Sequence, residues 1–408
     1  MLILRIFLPF AMGYFLSFFY RSINAIIGPK LIDEVALSPT SLGLMTSAYF
    51  LTFALFQIPL GVLLDRYGAR RVQATLFAVS ACGALLFSIG ESLTTLTVAR
   101  ALIGLGMAGA LMAAFSTFVQ WFPAHQLPWL NGCFLAFGGL GALTATVPVE
   151  VALEVMEWRN LFLWLGLLTF LVAVTIFLAV PEAESQQEAA TQPGWWTLLR
   201  GLKDIYGSGF FWSIAPLSCA CLSSAFAIQG LWAGLWLQDI SGFSSGAAAA
   251  HLMVIAIGLT LGSVLSGTIV QLMSRLGLDI VAAFAVCCAL FVGVQIMIIL
   301  VPDRSTWLLW FFFGFLINQA ALAYAILSRH FPKEWSGRAN TCLNLFVVGG
   351  AFVVQYSMGW IIDFFLAQPA ANMTVFAYRV SFTMVVALQI AGLAILLIRL
   401  RRTRGALR

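Results

Sequence analysis

The 408 residues are 62% hydrophobic and only 9% charged, with 21 basic and 16 acidic side chains. A soluble globular chain carries roughly 25% charged residues, so a water-soluble enzyme is excluded, and the net charge of +5 is not a nucleic-acid footprint. Continuous apolar runs of about 20 residues, instead of ~10-residue alternating segments, indicate membrane helices and not a β-barrel.

Twelve spans are predicted, at 5–27, 42–64, 72–91, 95–121, 132–153, 161–181, 209–237, 249–271, 279–301, 306–328, 340–362 and 377–400. The first run has no small-residue cleavage site and is read as a retained span. One long polar interval separates six spans from six. This predicts an N-terminal six-helix bundle over 1–181, a cytoplasmic linker over 182–208 and a C-terminal six-helix bundle over 209–408. The end of the linker, WWTLLRGLKDIY, either lies at the interface as an amphipathic helix or serves as a plain tether. Fifteen basic residues fall on one side of the spans and four on the other, with Arg21 and Arg100 inside spans. This bias places both termini in the cytoplasm. The seven cysteines lie in or beside apolar segments and form no CxxC pair, so neither a disulfide framework nor a zinc site is expected.

The chain contains an internal repeat. WFPAHQLPWLNG at 121–132 resembles HFPKEWSGRANT at 330–341, an offset of 209. The same offset brings DRYG at 65–68 onto SRLG at 274–277, Glu154 onto Asp363, and Gly141 onto Gly350. Six spans return the chain to its starting side, so the copies are parallel repeats. The expected fold is an all-α integral membrane protein of twelve transmembrane helices in two such bundles.

Between the second and third spans lies GVLLDRYGARR (61–71), with Gly61, Asp65, Arg66, Gly68, Arg70 and Arg71. A basic turn serving only topology is one reading. The order of residues resembles the signature loop of the major facilitator superfamily. RALIGLGMAGA in the fourth span resembles that family's arginine-plus-glycine motif through Arg100, Gly104, Gly106 and Ala108, and EWRNLF at 157–162 resembles the lead into its sixth span. The resemblance implies two bundles rocking about a central site. It further implies a cytoplasmic latch in which Asp65 meets the start of the eleventh span near Gly337–Asn340, with Arg275 and Ser274 in the weaker second copy. It also implies that Arg100 assists proton movement. The Gly-Pro pair of the family's drug antiporters is missing from NGCFLAFGGLGALTATVPVEV.

Arg21 interrupts a greasy first span, where an arginine costs roughly 2.5–3.5 kcal/mol. Gly13, Ser17, Arg21, Asn24 and Gly28 share one helical face. Three readings stay open: an anchor for an anionic substrate, a structural partner within the protein, or snorkelling to the outer interface. No Asp or Glu occupies the central depth of any span, which favours a carboxylate or phosphate ligand on the planar guanidinium fork. Glu150 is the best carboxylate for proton coupling, or else a solvated helix end. Arg100 can instead pair with Glu150 or with backbone carbonyls. The second copy offers Gln229 and Trp232, Asn318, and Asn344 with Gln355 as substrate contacts, or as interhelical glue.

No histidine pair has metal-ligand spacing, and no GxxxxGK[ST] pattern is present, so neither a cofactor nor direct ATP drive is expected. These features predict a monomeric secondary transporter in a bacterial inner membrane, taking up a small organic anion with protons. Proton-driven efflux of amphipathic compounds is the alternative, and a non-transporting sensor or assembly factor is the third reading.

Overall fold

The structure, a computed structural model, is described over residues 3–181, 195–301, 306–368 and 373–405. The first part of the predicted linker, 182–194, lies outside the described residues. Among the described residues there are helices and no strands. Twelve helices among the described residues are long and apolar enough to cross a membrane: Ile3–Ser22, Pro39–Tyr67, Ala69–Ser88, Leu93–Trp121, Leu127–Thr144, Trp158–Ala179, Phe211–Ile240, Ser245–Arg275, Ile280–Leu300, Trp307–His330, Trp335–Leu366 and Met373–Leu400. We call these the first to twelfth spans.

The lipid-facing sides are visible as apolar exposure. In the sixth span Leu163, Trp164, Leu167, Phe170, Leu171, Val174, Phe177 and Leu178 are all exposed. Their spacing makes a stripe of the kind a helix presents to acyl chains. Helix starts are capped where the chain enters from water. Ser38 accepts from the Ser41 amide at 3.3 Å, Ser92 from Thr95 at 3.2 Å and Asp279 from Ala282 at 2.7 Å. Each takes up one of the orphan amides of a helix N-terminus.

The chain divides into two compact units. One comprises Met1–Gln192 with Gly230–Leu235 and Ser244–Met253, and the other Pro193–Gln229, Trp236–Phe243 and Val254–Arg408. In the first unit the loop between the second and third spans turns at Gly68, φ 78°. In the second unit the loop between the eighth and ninth spans turns at Gly277, φ 81°. Both are left-handed backbone that a residue with a Cβ adopts only with strain. These are the two glycines that the 209-residue offset superposes.

Several spans are interrupted. The first breaks at Ile23 and resumes as the helix Asn24–Val35. The fourth breaks at Ala108–Gly109. The fifth ends at Thr144 and resumes as Val147–Val155, because Pro148 has no amide to give the Thr144 carbonyl. The seventh becomes π-helical over Ile228–Trp232, and the tenth tightens to a 3-10 turn over Asn318–Ala321. Freed carbonyls at such breaks need side-chain donors. Gln57 supplies one to Ala108 at 3.0 Å, and Ser218 supplies one to Ala320 at 2.9 Å.

Candidate functional site

In the first unit the predicted polar face of the first span is enclosed by protein. Ser17 and Asn24 are buried and Arg21 is half-buried. Arg21 sits in the last turn before the break at Ile23. Its guanidinium carbon lies 4.9 Å from the Phe18 ring and 5.8 Å from the Phe53 ring. Phe18 is one turn away on the same helix, whereas Phe53 comes from the second span. Nearby, the Tyr49 hydroxyl points at the Ser17 carbonyl, 3.5 Å away. The arrangement is a cation held among aromatic rings.

Arg100 lies deeper, at 0% exposure. Its Nη1 donates to the Tyr20 carbonyl at 3.0 Å, and its guanidinium lies over Phe87 at 4.9 Å and Phe162 at 5.4 Å. Of the readings open for Arg100, the bond present is the one to a backbone carbonyl. Glu150 is half-buried in the first turn of Val147–Val155. That is a helix N-terminus, where a carboxylate is favoured. Trp232 belongs to the first unit and is fully buried.

In the second unit the amides are mostly engaged with neighbouring helices. Asn318 donates to the Leu259 carbonyl at 3.1 Å and to the Ser263 hydroxyl. Gln319 donates to the Gly262 carbonyl at 3.1 Å and accepts from Ser266 at 3.2 Å. Asn344 accepts from the Tyr324 hydroxyl at 3.2 Å. Gln355 is buried, and Gln229 is half-buried in the turn before Gly230. So Asn318 is tied to the eighth span, while Asn344 is tied to the tenth.

The loop residues Asp65 and Arg66 are exposed at the end of the second span, with Gly61 one turn earlier and Arg71 exposed past Gly68. Arg66 lies over the Tyr67 ring at 5.4 Å, and Arg70 over Phe177 of the sixth span at 5.0 Å. Arg275 is exposed at the end of the eighth span.

Sequence reasoning missed Tyr20, Phe87 and Phe162, which surround Arg100, Thr169, which meets the Tyr20 hydroxyl, and Phe53 beside Arg21. Phe18 carries a signal, its i−3 spacing from Arg21. The others come from remote segments, and a single sequence holds no mark of those encounters.

The family model described as Major Facilitator Superfamily matches residues 10–354. A probable sulfoacetate transporter of Cupriavidus necator is 25% identical over 280 residues, 63% of each chain. The hexuronate transporter of Escherichia coli is 25% identical over 287 residues, 65% of this chain and 64% of that one. The chain thus spans a little under two thirds of the length of these relatives. Among solved structures, a bacterial homologue of the human lysosomal transporter Spinster, inward-facing and occupied, superposes with a TM-score of 0.76 at 16% identity, covering 97% of this chain and 96% of that one. That likeness concerns the fold. An all-helical chain with twelve apolar spans and a family match over most of its length is an integral membrane protein that belongs to the major facilitator superfamily.

Proposed function

We propose that this chain is a secondary transporter for a small organic anion, a carboxylate or sulfonate, taken up with protons by alternating access. The observation that carries the reading is Arg21. A cation stands in the last turn of an interrupted first span, between two aromatic rings. Intramembrane charge usually serves function, and a guanidinium fork suits a planar carboxylate or a sulfonate. Sulfoacetate and hexuronate, named for two relatives, are anions of that kind. Ser17 and Asn24 add polar groups on the same face. Gln229, Trp232, Asn318, Asn344 and Gln355 are the remaining proposed contacts, Asn318 also tying the tenth span to the eighth. Glu150 is the proposed proton carrier. Asp65, Arg66, Gly68 and Arg71, hinged at Gly61, form the proposed cytoplasmic gate, with Arg275 as its second-copy counterpart. The proposed setting is a bacterial inner membrane, with both termini cytoplasmic and the chain monomeric.

The test is uptake of labelled carboxylates and sulfonates into proteoliposomes, with and without an inward proton gradient. The wild-type chain concentrates at least one of them when the gradient is imposed. Arg21→Ala loses affinity by about 10- to 100-fold, the equivalent of a ~1.5–3 kcal/mol charged hydrogen bond, while Arg21→Lys retains part of it. Undiminished anion affinity in Arg21→Ala sinks the reading, and extrusion of a cationic dye without anion uptake replaces it with efflux.

A further inference from the structure

Anion binding at Arg21 does not use the fully buried Arg100, for which the family resemblance implies only a part in proton movement. We infer that Arg100 is a positioning residue: it grips the backbone where the first span is interrupted and so fixes the direction from which Arg21 reaches its anion. The inference rests on the assignment of Arg21 to substrate.

The argument begins with the interruption. A helix that ends leaves its last four carbonyls without intrahelical donors. At the break at Ile23 those are Tyr20, Arg21, Ser22 and Ile23. The Phe19 carbonyl is taken by the Ile23 amide at 3.0 Å, and the Ile23 carbonyl by the amides of Ile26 and Ile27 at 3.0 and 3.1 Å. The Tyr20 carbonyl accepts from Arg100 Nη1 at 3.0 Å. That oxygen and the Arg21 amide belong to one planar peptide unit with partial double-bond character. Holding the oxygen therefore holds the plane that sets the Arg21 Cα.

The grip is itself immobile. Arg100 is fully buried, its guanidinium covered by Phe87 of the third span and Phe162 of the sixth. Those two rings also pack on each other at 4.3 Å. Tyr20 is held at its other end, where its hydroxyl and that of Thr169 lie 3.0 Å apart. One residue, immediately before Arg21, is thus clamped at carbonyl and hydroxyl by the fourth and sixth spans.

A plain interhelical tie does not require a charge. At the break in the fourth span the uncharged Gln57 bonds the Ala108 carbonyl at the same 3.0 Å. A guanidinium makes a charge-assisted bond about twice as strong as a neutral one. That strength is spent on the single peptide carrying Arg21.

The experiment uses the purified full-length chain, and measures amide exchange by mass spectrometry together with uptake kinetics. In Arg100→Gln, amides in peptides covering 18–27 exchange about tenfold faster, while peptides from the third and sixth spans and from the second unit are unchanged. KM for the transported anion rises about tenfold, or about 1.4 kcal/mol, with a much smaller fall in maximal rate. Arg100→Lys, which can still donate to the Tyr20 carbonyl, recovers most of the KM. Phe162→Leu leaves the charge in place but loosens its packing, and shifts both readouts in the same direction by less; it carries the test if Arg100→Gln does not fold. Unchanged exchange at 18–27, or exchange that rises equally across the whole first unit with KM unaltered, overturns the inference. Local exchange in 18–27 with no anion uptake by the wild type supports the clamp while removing the anion reading, so the two fail separately.

Discussion

Ile23 and Trp232 stand 209 residues apart, and so do the pairs Ala108–Gly109 and Ile317–Asn318. All four places interrupt a membrane helix. The two copies of the repeat thus break their first and fourth spans at matching positions, yet they treat the breaks differently. The first copy places charge there: Arg21 precedes one break, and Arg100 bonds the carbonyl next to it. The second copy uses amides and hydroxyls, with Ser218 on Ala320, and Asn318 and Gln319 on the eighth span. The fifth and eleventh spans also differ. Thr146 and Gln355 are equivalent by the offset, but the fifth span breaks before Pro148 while Lys333–Leu366 runs through unbroken. The breaks of the first- and fourth-type spans recur in both copies while that of the fifth does not, and the chemistry filling the shared breaks differs. Charge-bearing function is accordingly sought in the first copy.

The largest test of this comparison uses the glycine pair Gly141 and Gly350. A Cβ at Gly141 meets the backbone carbonyl of Phe15, which cannot turn aside, whereas a Cβ at Gly350 meets the Ser223 hydroxyl at 2.6 Å and the Cys219 sulfur at 2.8 Å. Both mark the crossing of a fifth-type span on a first-type span. Overpacking costs typically 1–3 kcal/mol. Gly141→Ala is expected near the top of that range, because two helix backbones must separate. Gly350→Ala is expected near the bottom, because side chains can rotate. Thermal unfolding in detergent measures both. Equal losses would mean that the crossings are equally rigid, and the copies more alike than their polar chemistry suggests.

The legibility of the chain follows the same division. Twelve spans were readable because bilayer thickness imposes a length and lipid imposes composition, both of which are local. The Gly68 and Gly277 turns were readable because a tight loop writes itself in glycine. Arg21 was conspicuous because a charge in a greasy run is rare. The Tyr20–Arg100 bond was not readable: its acceptor is a backbone oxygen, which has no letter in the sequence, and its donor lies 80 positions away. The break at Ile23 contains neither proline nor glycine at that position, so local propensity gave no warning of it; the one in the fifth span coincides with Pro148, although 132–153 was expected to run unbroken. Asn318 looked the same as a ligand or as glue, since the amide is identical and only its partners at Leu259 and Ser263 distinguish the roles.

A second, smaller test concerns how the ends of the spans around Glu34 and Asp239 are fastened. In the first copy Glu34 Oε2 accepts both Trp158 Nε1 and Arg159 Nη1, each at 2.7 Å. In the second, Tyr378 donates to Asp239 at 2.6 Å. The Glu34–Arg159 pair is partly exposed and therefore contributes little on its own. Trp158 is buried, and its indole N–H loses its acceptor when Glu34 goes. Glu34→Ala is expected to cost about 1–2 kcal/mol, mostly from that orphaned donor. Arg159→Ala is expected to cost less than about 1 kcal/mol. Unfolding at low and high salt separates the two terms: only the arginine contribution shrinks with salt. A Glu34 effect that vanishes in salt would show that the clasp is ionic.

The smallest effect is expected from removing both members of the amide pair Gln295–Gln389, which ties the ninth span to the twelfth. Each donates to the other, Gln295 at 2.8 Å and Gln389 at 3.2 Å, and both are buried. Interhelical hydrogen bonds in membranes average about 0.6 kcal/mol, so the intact pair adds little. Removing one partner is worse than removing both, because the remaining buried amide loses its partner, with Gln295 keeping only its bond to the Phe291 carbonyl at 3.3 Å. Gln295→Leu and Gln389→Leu singly are each expected to destabilise by about 1 kcal/mol or more, and the double variant by less than either. This ordering follows from mutual satisfaction, and a double-mutant cycle on unfolding measures it directly. If the double variant instead loses the sum of the singles, the two glutamines act independently. The second copy's amides would then be more than reciprocal glue, and the contrast with the charged first copy would have to be redrawn at the ninth and twelfth spans.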